Sequence, residues 1–238
     1  MKTSLPIILV LLSVLTLDAQ RYQNLEITPF NSIEVFGAFD VELIKADKEA
    51  VEVDYTGVHR DNIIVDISRN KLKLKLKNRH YIDEWTSSST EYRPSKNVKV
   101  RVYYTELNSI IANAGANIQS DEIFKIRNFE IEAGMGAIVN LKVLNQTLRV
   151  KTSMGAEVFL KGKVDELEVN ANMGGVLTAS ALESKLAMVR ASMGADVNVN
   201  VLEELDASSG FGAVIRYVGG PSVKHTSTNF GGEIRQKR

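Results

Sequence analysis

The residue types on which enzymes and metal sites most often depend are sparse in this sequence. The chain has no cysteine, which excludes thiol catalysis and zinc–thiolate sites. Its three histidines, His59, His80 and His225, are too scattered to suggest a catalytic triad or a zinc site. No glycine-rich phosphate loop leads into a helix, and the calcium-binding nonapeptide repeat is absent. The remaining candidates are acidic residues and methionines, and both kinds lie close to a glycine that recurs.

This glycine appears seven times between residues 115 and 231 with similar neighbours. The phrase "KTSMGAEVFL" (151–160), for example, returns as "RASMGADVNV" (190–199). The residue before the glycine is alanine, methionine or phenylalanine, and the residue after it is alanine or glycine. The series runs Gly115, Gly136, Gly155, Gly174, Gly194, Gly212 and Gly231. Self-similarity at a nearly fixed period of about 19 residues predicts a solenoid.

The residues around each glycine alternate with a period of two, which is typical of a β-strand with one buried face. In the third copy the predicted inward residues are Leu148, Val150, Thr152, Met154, Ala156, Val158 and Leu160. The thirteen alternating residues 148–160 would form a straight strand of about 43 Å, so the strand must bend, and the glycine supplies the corner. The sequence predicts an all-β fold, a parallel β-helix or β-solenoid with coils of about 19 residues stacked about 4.8 Å apart.

Three acidic residues share one outward column of this predicted solenoid, two positions after the glycine: Glu157, Asp196 and Glu233. Polysaccharide lyases and hydrolases use β-helices, so a carbohydrate-active enzyme is the alternative function. Stacking places Glu157 and Asp196 two coils apart, about 10 Å, which is beyond the usual separation of paired catalytic carboxylates. We therefore predict that the protein is not an enzyme and has no catalytic residues, metal site or cofactor.

Methionine occupies the position before the glycine in four successive copies, and the alternation places this position inside. The column consists of Met135, Met154, Met173 and Met193, and continues with Phe211 and Phe230. Four thioethers in a row could bind copper(I). Methionine also fills narrow β cores, and phenylalanine offers no metal ligand. We therefore expect the column to pack inside the solenoid.

A polar row lies two positions before the glycine. It contains Asn113, Ser153, Asn172, Ser192 and Asn229, and is interrupted by Gly134 and Gly210. Stacked amides can hydrogen-bond to one another along a solenoid. We expect this row to stabilise the stack, although a ligand could also read it.

The start of the chain has the pattern of a secretory signal peptide. Lys2 is followed by the apolar run 5–17, and a small-residue cleavage site fits at residues 17–19. Thirteen apolar residues span only about 20 Å as a helix, so a retained membrane anchor is the weaker interpretation. Residues 1–19 are therefore predicted to direct export, to the periplasm or the outer cell surface, and no stable membrane span is expected after cleavage. The formal net charge of zero argues against a nucleic-acid partner.

Residues 20–106 are predicted to form an N-terminal β section that is continuous with the solenoid repeats of residues 107–238. The phrase Phe36-Gly37-Ala38 resembles the later repeats and indicates an imperfect first coil. The run "KLKLKLK" (71–77) places lysines on one strand face, as is typical of a surface strand at a sheet edge. No linker rich in proline, glycine or serine divides the two sections.

The segment 78–95 is the least patterned part of the chain after the leader. It contains the only tryptophan, Trp85, together with Tyr81 and Tyr92. Aromatic residues in a long loop can stack on sugar rings or anchor a protein partner. They can equally cover an open end of the core. These three residues are the sequence's candidates for a binding site.

With these phrases in place, the chain resembles the "putative auto-transporter adhesin, head GIN domain" family of secreted proteins. The resemblance rests on "FNSIEVFGAFDVELIK" (30–45), "ANAGANIQ" (112–119) and the "ASMGADV" type of repeat, and it covers about residues 30–217. It implies a β-solenoid of largely unknown function and provides no catalytic motif. The sequence and the resemblance together predict an exported, non-catalytic module that binds or adheres at the cell envelope or surface, with a glycan or an envelope protein as partner.

Overall fold

A computed structural model describes residues 22–56, 58–77 and 97–237. These residues form sixteen β-strands and one short 3₁₀ segment, Arg60–Asn62. The strands are β1 (Tyr22–Glu26), β2 (Ser32–Phe36), β3 (Phe39–Lys45), β4 (Ala50–Asp54), β5 (Ile63–Ser68), β6 (Lys71–Leu76), β7 (Val98–Tyr104), β8 (Ser109–Asn113), β9 (Asn117–Ala133), β10 (Ile138–Thr152), β11 (Glu157–Ala171), β12 (Val176–Ala191), β13 (Asp196–Ser209), β14 (Val214–Val218), β15 (Val223–Thr228) and β16 (Glu233–Gln236). The sequence prediction of an all-β protein is confirmed.

The long strands β9 to β13 each make up most of one coil and pair in parallel with the strands of the coils above and below. Ile138 lies beside Glu157, which lies beside Val176, so one coil takes 19 residues at this point. The registers shift in mid-strand, where each long strand bends a second time. The predicted parallel β-solenoid and its period are therefore confirmed.

The N-terminal section adds two further coils in an order that differs from the chain order. Strand β2 lies between β6 and β8, and β3 lies between β7 and β9, so the coil built from β6 and β7 is outermost. Strand β4 pairs antiparallel with β7, β1 with β4, and β5 with β6. All sixteen strands belong to one sheet.

The lysine-rich strand β6 is not at an edge, so the interpretation of "KLKLKLK" as an edge strand was wrong. It pairs on one side with β2 and on the other with β5. Lys71 donates to Glu34 at 3.3 Å, and the Lys75 ammonium lies 5.5 Å from the centre of the Phe36 ring. These partners on the adjacent strand give the lysines a place within the sheet.

The core is a single apolar column enclosed by the coils. Leu148, Val150, Val158 and Leu160 are at most 1% exposed, as the alternation predicts. Three inward polar residues each donate to a carbonyl of an adjacent coil: Ser120 to Leu43 at 2.7 Å, Asn145 to Ile126 at 2.7 Å, and Ser184 to Asn200 at 2.7 Å. These bonds give each buried polar side chain a partner inside the core.

The prediction of a buried methionine column was wrong. Met135, Met154, Met173 and Met193 are 42–57% exposed, and Phe211 and Phe230 are 57% and 75% exposed. At each of these positions φ lies between 43° and 51°, and at the following glycine between 69° and 77°. Two successive residues with positive φ form a tight turn and break the alternation. The residue before the glycine therefore points into solvent, while its neighbours two positions away on either side stay buried.

Candidate functional site

The six large apolar side chains at these turns form one exposed line, which we call the ridge: Met135, Met154, Met173, Met193, Phe211 and Phe230. A ladder of backbone hydrogen bonds holds the rungs in register. The amide of Gly136 donates to the carbonyl of Met154 at 3.0 Å, and that of Gly155 to Met173 at 3.2 Å. Adjacent rungs are therefore about one strand spacing, 4.8 Å, apart. The Phe211 and Phe230 rings stack with their centres 4.8 Å apart.

The polar row beside the ridge is a packed surface rather than a hydrogen-bonded ladder. A Cβ on Gly134 would lie 2.6 Å from Oδ1 of Asn113, and a Cβ on Gly210 would meet Oδ1 of Asn229. The asparagine side chains thus fill the space over the two glycines. Within the described part of the chain, no side-chain hydrogen bond joins successive members of the row, and Oδ1 of Asn172 is buried without a partner. The amide ladder expected from the sequence does not form.

A polar groove of about 270 Å³ opens near the second bend. It is lined by Glu42, Gln119, Ser120, Asp121, Asn140, Lys142 and Lys161. The Lys142 ammonium donates to the backbone carbonyl of Asp121 at 3.2 Å, and the hydroxyl of Ser120 is anchored on the Leu43 carbonyl. The lining combines two lysines, two acids, two amides and a hydroxyl, so its formal charge is balanced.

The groove continues into a column of outward side chains along the stack. Glu42 lies beside Gln119, Gln119 beside Asn140, and Asn140 beside Phe159, each pair on adjacent strands. Thr178 follows on the next strand. The column therefore presents a carboxylate, two amides, an aromatic ring and a hydroxyl at successive strand spacings. Groups of this kind can hydrogen-bond to hydroxyls and pack against the apolar face of a ring.

The acidic column that motivated the enzyme alternative does not form a carboxylate pair. Glu157 and Asp196 lie on either side of Val176, two coils apart as the sequence predicts. The carboxylate of Asp196 accepts from Arg216 at 2.5 Å and from Asn198 at 3.0 Å. Glu233 pairs with Arg235 at 3.1 Å. These two acids thus have structural partners on the surface.

The histidines that the structure describes lie far apart in the fold. His59 precedes the 3₁₀ segment, where its Nδ1 accepts from the amide of Asp61 at 3.4 Å, and His225 lies on the exposed strand β15. Residues 22–56, 58–77 and 97–237 contain no group of three or more histidines, cysteines or acids that could hold a metal ion. His80 and the predicted binding residues Tyr81, Trp85 and Tyr92 fall outside the described residues.

Pairs of opposite charge connect adjacent coils on other parts of the surface: Lys151 with Glu130 at 2.9 Å, Arg149 with Glu168 at 3.0 Å, Lys163 with Glu183 at 2.9 Å, and Lys185 with Asp165 at 2.7 Å. The hydrogen bond that each ammonium donates to its carboxylate partner raises the pKa of Lys151 and of Lys185. Exposed pairs of this kind contribute little to stability. They place opposite charges side by side on this part of the described surface.

The groove was not predicted from the sequence, and the predicted direction of the ridge side chains was wrong. The groove depends on register shifts that no residue pattern marks. The ridge could have been found from the Met-Gly and Phe-Gly pairs, because a tight turn between strands needs two residues with positive φ. The outward column could also have been predicted from the repeat, because each of its members on β9 to β12 lies four residues after a recurrent glycine.

Such a stack of coils, with an exposed ridge at its turns, defines a parallel β-solenoid protein. The chain belongs to the family described as "Putative auto-transporter adhesin, head GIN domain", which matches residues 29–221. The family expected from the sequence is thereby confirmed.

Several solved structures share this fold. A "putative adhesin" from Bacteroides fragilis is 19% identical, with a TM-score of 0.78 over 91% of this chain and 96% of that one. A "putative lipid binding protein" from Parabacteroides distasonis is 18% identical, with a TM-score of 0.68 over 91% and 96% of the two chains. A "putative adhesin" from Parabacteroides merdae is also 18% identical, with a TM-score of 0.68 over 91% and 95%. At these identities the similarity establishes the fold alone. Among curated proteins there is no significant match.

None of the helical residues in the described part of the chain belongs to a helix long and apolar enough to cross a membrane.

Proposed function

We propose that the protein is an exported, non-catalytic module that binds a glycan at the cell envelope or surface. The observation that carries this proposal is the polar groove and the column that extends it, with Asn140 and Phe159 on neighbouring strands. The family and the fold support a surface module. The predicted signal peptide of residues 1–19 supports export.

A glycan suits this surface because sugars present many hydroxyls and an apolar ring face. The amides of Gln119 and Asn140 can both donate to and accept from hydroxyl groups, and the carboxylate of Glu42, which also accepts from Arg101 at 3.4 Å, can accept from them. Phe159, half-buried beside Asn140, offers an aromatic face to the ring. The side chains project from paired strands rather than from loops, so little conformational entropy is lost on binding.

The charge balance of the groove narrows the ligand class. Glu42, Asp121, Lys142 and Lys161 contribute two negative and two positive charges. A groove of this kind has no net attraction for a strongly anionic polymer, so we propose a neutral or weakly charged glycan. The carboxylates that a hydrolase would need are not paired in the acidic column, and no observation favours the enzyme alternative over binding.

A glycan array probed with the chain from Gln20 onward tests this function. Asn140→Ala combined with Phe159→Ala should lower the affinity for the best glycan by about tenfold or more, since it removes one hydrogen-bonding group and the ring. Lys151→Ala is the control, because Lys151 is exposed on the same strand β10 as Asn140 but does not line the groove. Fractionation of the native host would show whether the protein reaches the periplasm or the outer surface.

Two results would contradict the proposal. The first is a folded wild-type protein that binds no glycan on the array. The second is equal binding by wild type and the double variant, which would place the binding surface elsewhere.

A further inference from the structure

We propose that the four stacked methionines of the ridge bind a soft monovalent metal ion, Cu(I), between adjacent rungs. Met135, Met154, Met173 and Met193 are exposed, consecutive along the stack and joined by the backbone ladder of the turns. Thioether sulfur is a ligand that selects Cu(I) over harder cations. The burial that would have argued against a metal site does not exist.

The spacing of the rungs suits two-coordinate binding. Neighbouring strands of the stack are about 4.8 Å apart. A metal–sulfur bond of about 2.3 Å gives about 4.6 Å between the two sulfurs of a linear S–metal–S unit. Methionine has three rotatable bonds and can adjust the remaining difference. A single ion can therefore join two successive rungs without any movement of the backbone.

The choice of residue at the ridge also points to sulfur. The whole sequence contains six methionines, of which four are on the ridge, one is Met1 and one is Met188. Leucine is frequent in the chain and provides a similar apolar bulk, but no rung has it. If the ridge needed only an apolar surface, leucine would serve as well as methionine.

The turn conformation makes this choice more specific. Each ridge methionine has a φ near +50°, a region that glycine, asparagine and aspartate tolerate best. An exposed side chain there gains little from packing, so the methionine is not explained by local stability. The phenylalanine rungs end the site, and the Phe211 ring beside Met193 presents a π face that can approach a bound cation.

Titration with Ag⁺, a redox-stable probe for Cu(I), tests the proposal in chloride-free buffer on the folded chain from Gln20 onward. We expect at least one ion per chain, bound in the micromolar range. In NMR spectra of protein labelled at the methionine methyl groups, the signals of ridge methionines should shift. The signal of Met188, which lies on a strand and accepts from Arg190, should not.

The decisive variant is Met154→Leu combined with Met173→Leu. It leaves Met135 and Met193 three rungs apart, about 14 Å, so no two thioethers can share an ion. Affinity for Ag⁺ should fall about tenfold or more, with an unchanged thermal midpoint. Met188→Leu is the matched control and should bind as wild type does.

Equal Ag⁺ binding by wild type and the Met154/Met173 double variant would overturn the proposal, as would a wild-type protein that binds no Ag⁺. A shift confined to Met188 would have the same consequence. Because these variants leave Asn140 and Phe159 intact, a failure here is separate from a failure of glycan binding.

Discussion

Gly175 is the position at which the repeat and the structure give opposite expectations for the same substitution. Five of the seven copies have alanine directly after the recurrent glycine, so the repeat suggests that Gly175→Ala is harmless or stabilising. In the structure, a Cβ on Gly175 would lie 2.6 Å from both the carbonyl carbon and the oxygen of Thr152 in the preceding coil. Real Cβ atoms do not approach backbone so closely, and the substitution must displace one of the coils.

Two coils have glycine instead of alanine directly after the recurrent glycine, at Gly175 and Gly232. In both cases the preceding coil has a hydroxyl residue at the inward position three residues before its own recurrent glycine. The Thr152 hydroxyl donates to the Ala156 carbonyl at 3.0 Å, and the next coil has Gly175; the Ser209 hydroxyl donates to the Ala213 carbonyl at 2.8 Å, and the next coil has Gly232. Where the equivalent inward residue is alanine, the next coil has alanine as well, as in the pairs Ala112/Ala137, Ala133/Ala156, Ala171/Ala195 and Ala191/Ala213. We infer that the hydroxyl and the glycine compensate each other.

A double-mutant cycle measures this compensation. Gly175→Ala should cost about 1–3 kcal/mol through overpacking. Thr152→Ala should cost about 1 kcal/mol through loss of one buried hydrogen bond. The double variant recreates the alanine pair of the neighbouring coils, so it should be less destabilised than the sum by about 1–2 kcal/mol.

Thermal unfolding followed by circular dichroism on the four proteins provides the measurement. In a domain of this size 1 kcal/mol corresponds to roughly 2–4 °C in Tm, so the coupling is resolvable. Additive effects of the two substitutions, or a Gly175→Ala variant as stable as wild type, would refute the reasoning.

Five substitutions test other features of the fold, four by the same thermal unfolding and one by urea unfolding. Met154→Lys should shift Tm by no more than about 2 °C, because this side chain is half-exposed. Val158→Lys should prevent folding, because it buries an unpaired charge. Equal effects of the two substitutions would contradict the outward direction of Met154. Gly155→Ala should cost about 1–2 kcal/mol, since its φ is +69° but no atom lies near the added Cβ, and Gly162→Ala should cost more because its Cβ would collide with a carbonyl oxygen of the adjacent coil. Burial raises the pKa of Tyr104 to about 12. Because this folded-state pKa lies above the ordinary value of 10.0, the free energy of unfolding should fall by about 2–3 kcal/mol as the pH rises from 10 toward 12, as measured by urea unfolding. Tyr104→Phe should make this decline with pH less steep. An equally steep decline in the variant would contradict the prediction.

The regular part of the fold was predictable because its physics is local. Alternation identified Leu148, Val150, Val158 and Leu160 as core, and the recurrent glycine gave both the period and the turn. The direction of Met154 was missed because alternation holds only while φ stays negative, and the two turn residues interrupt it. The first half of the chain was harder, since the coil of β6 and β7 stacks outside that of β2 and β3 and no repeat records this order.

The candidate site was less predictable than the fold. Gln119 and Asn140 carry no motif, and they acquire meaning only when the register places them beside Phe159. The groove also depends on Ser120, whose hydroxyl holds the second bend on a carbonyl from β3, seventy-seven residues earlier in the chain. Sequence separation of that order leaves no local signal.

The last described coil shows how a stack of parallel strands, paired as in an amyloid fibril, can resist the addition of further strands. Strand β15 places Lys224 and Thr226 directly beside Leu205 and Ala207, in positions that hold apolar residues in earlier coils, and it places Thr228 beside Ser209. Any chain that tried to extend the fibril-like stack over β15 would have to desolvate an ammonium group and two hydroxyls. A polar layer of this kind opposes templated growth and leaves the interior beneath it dry.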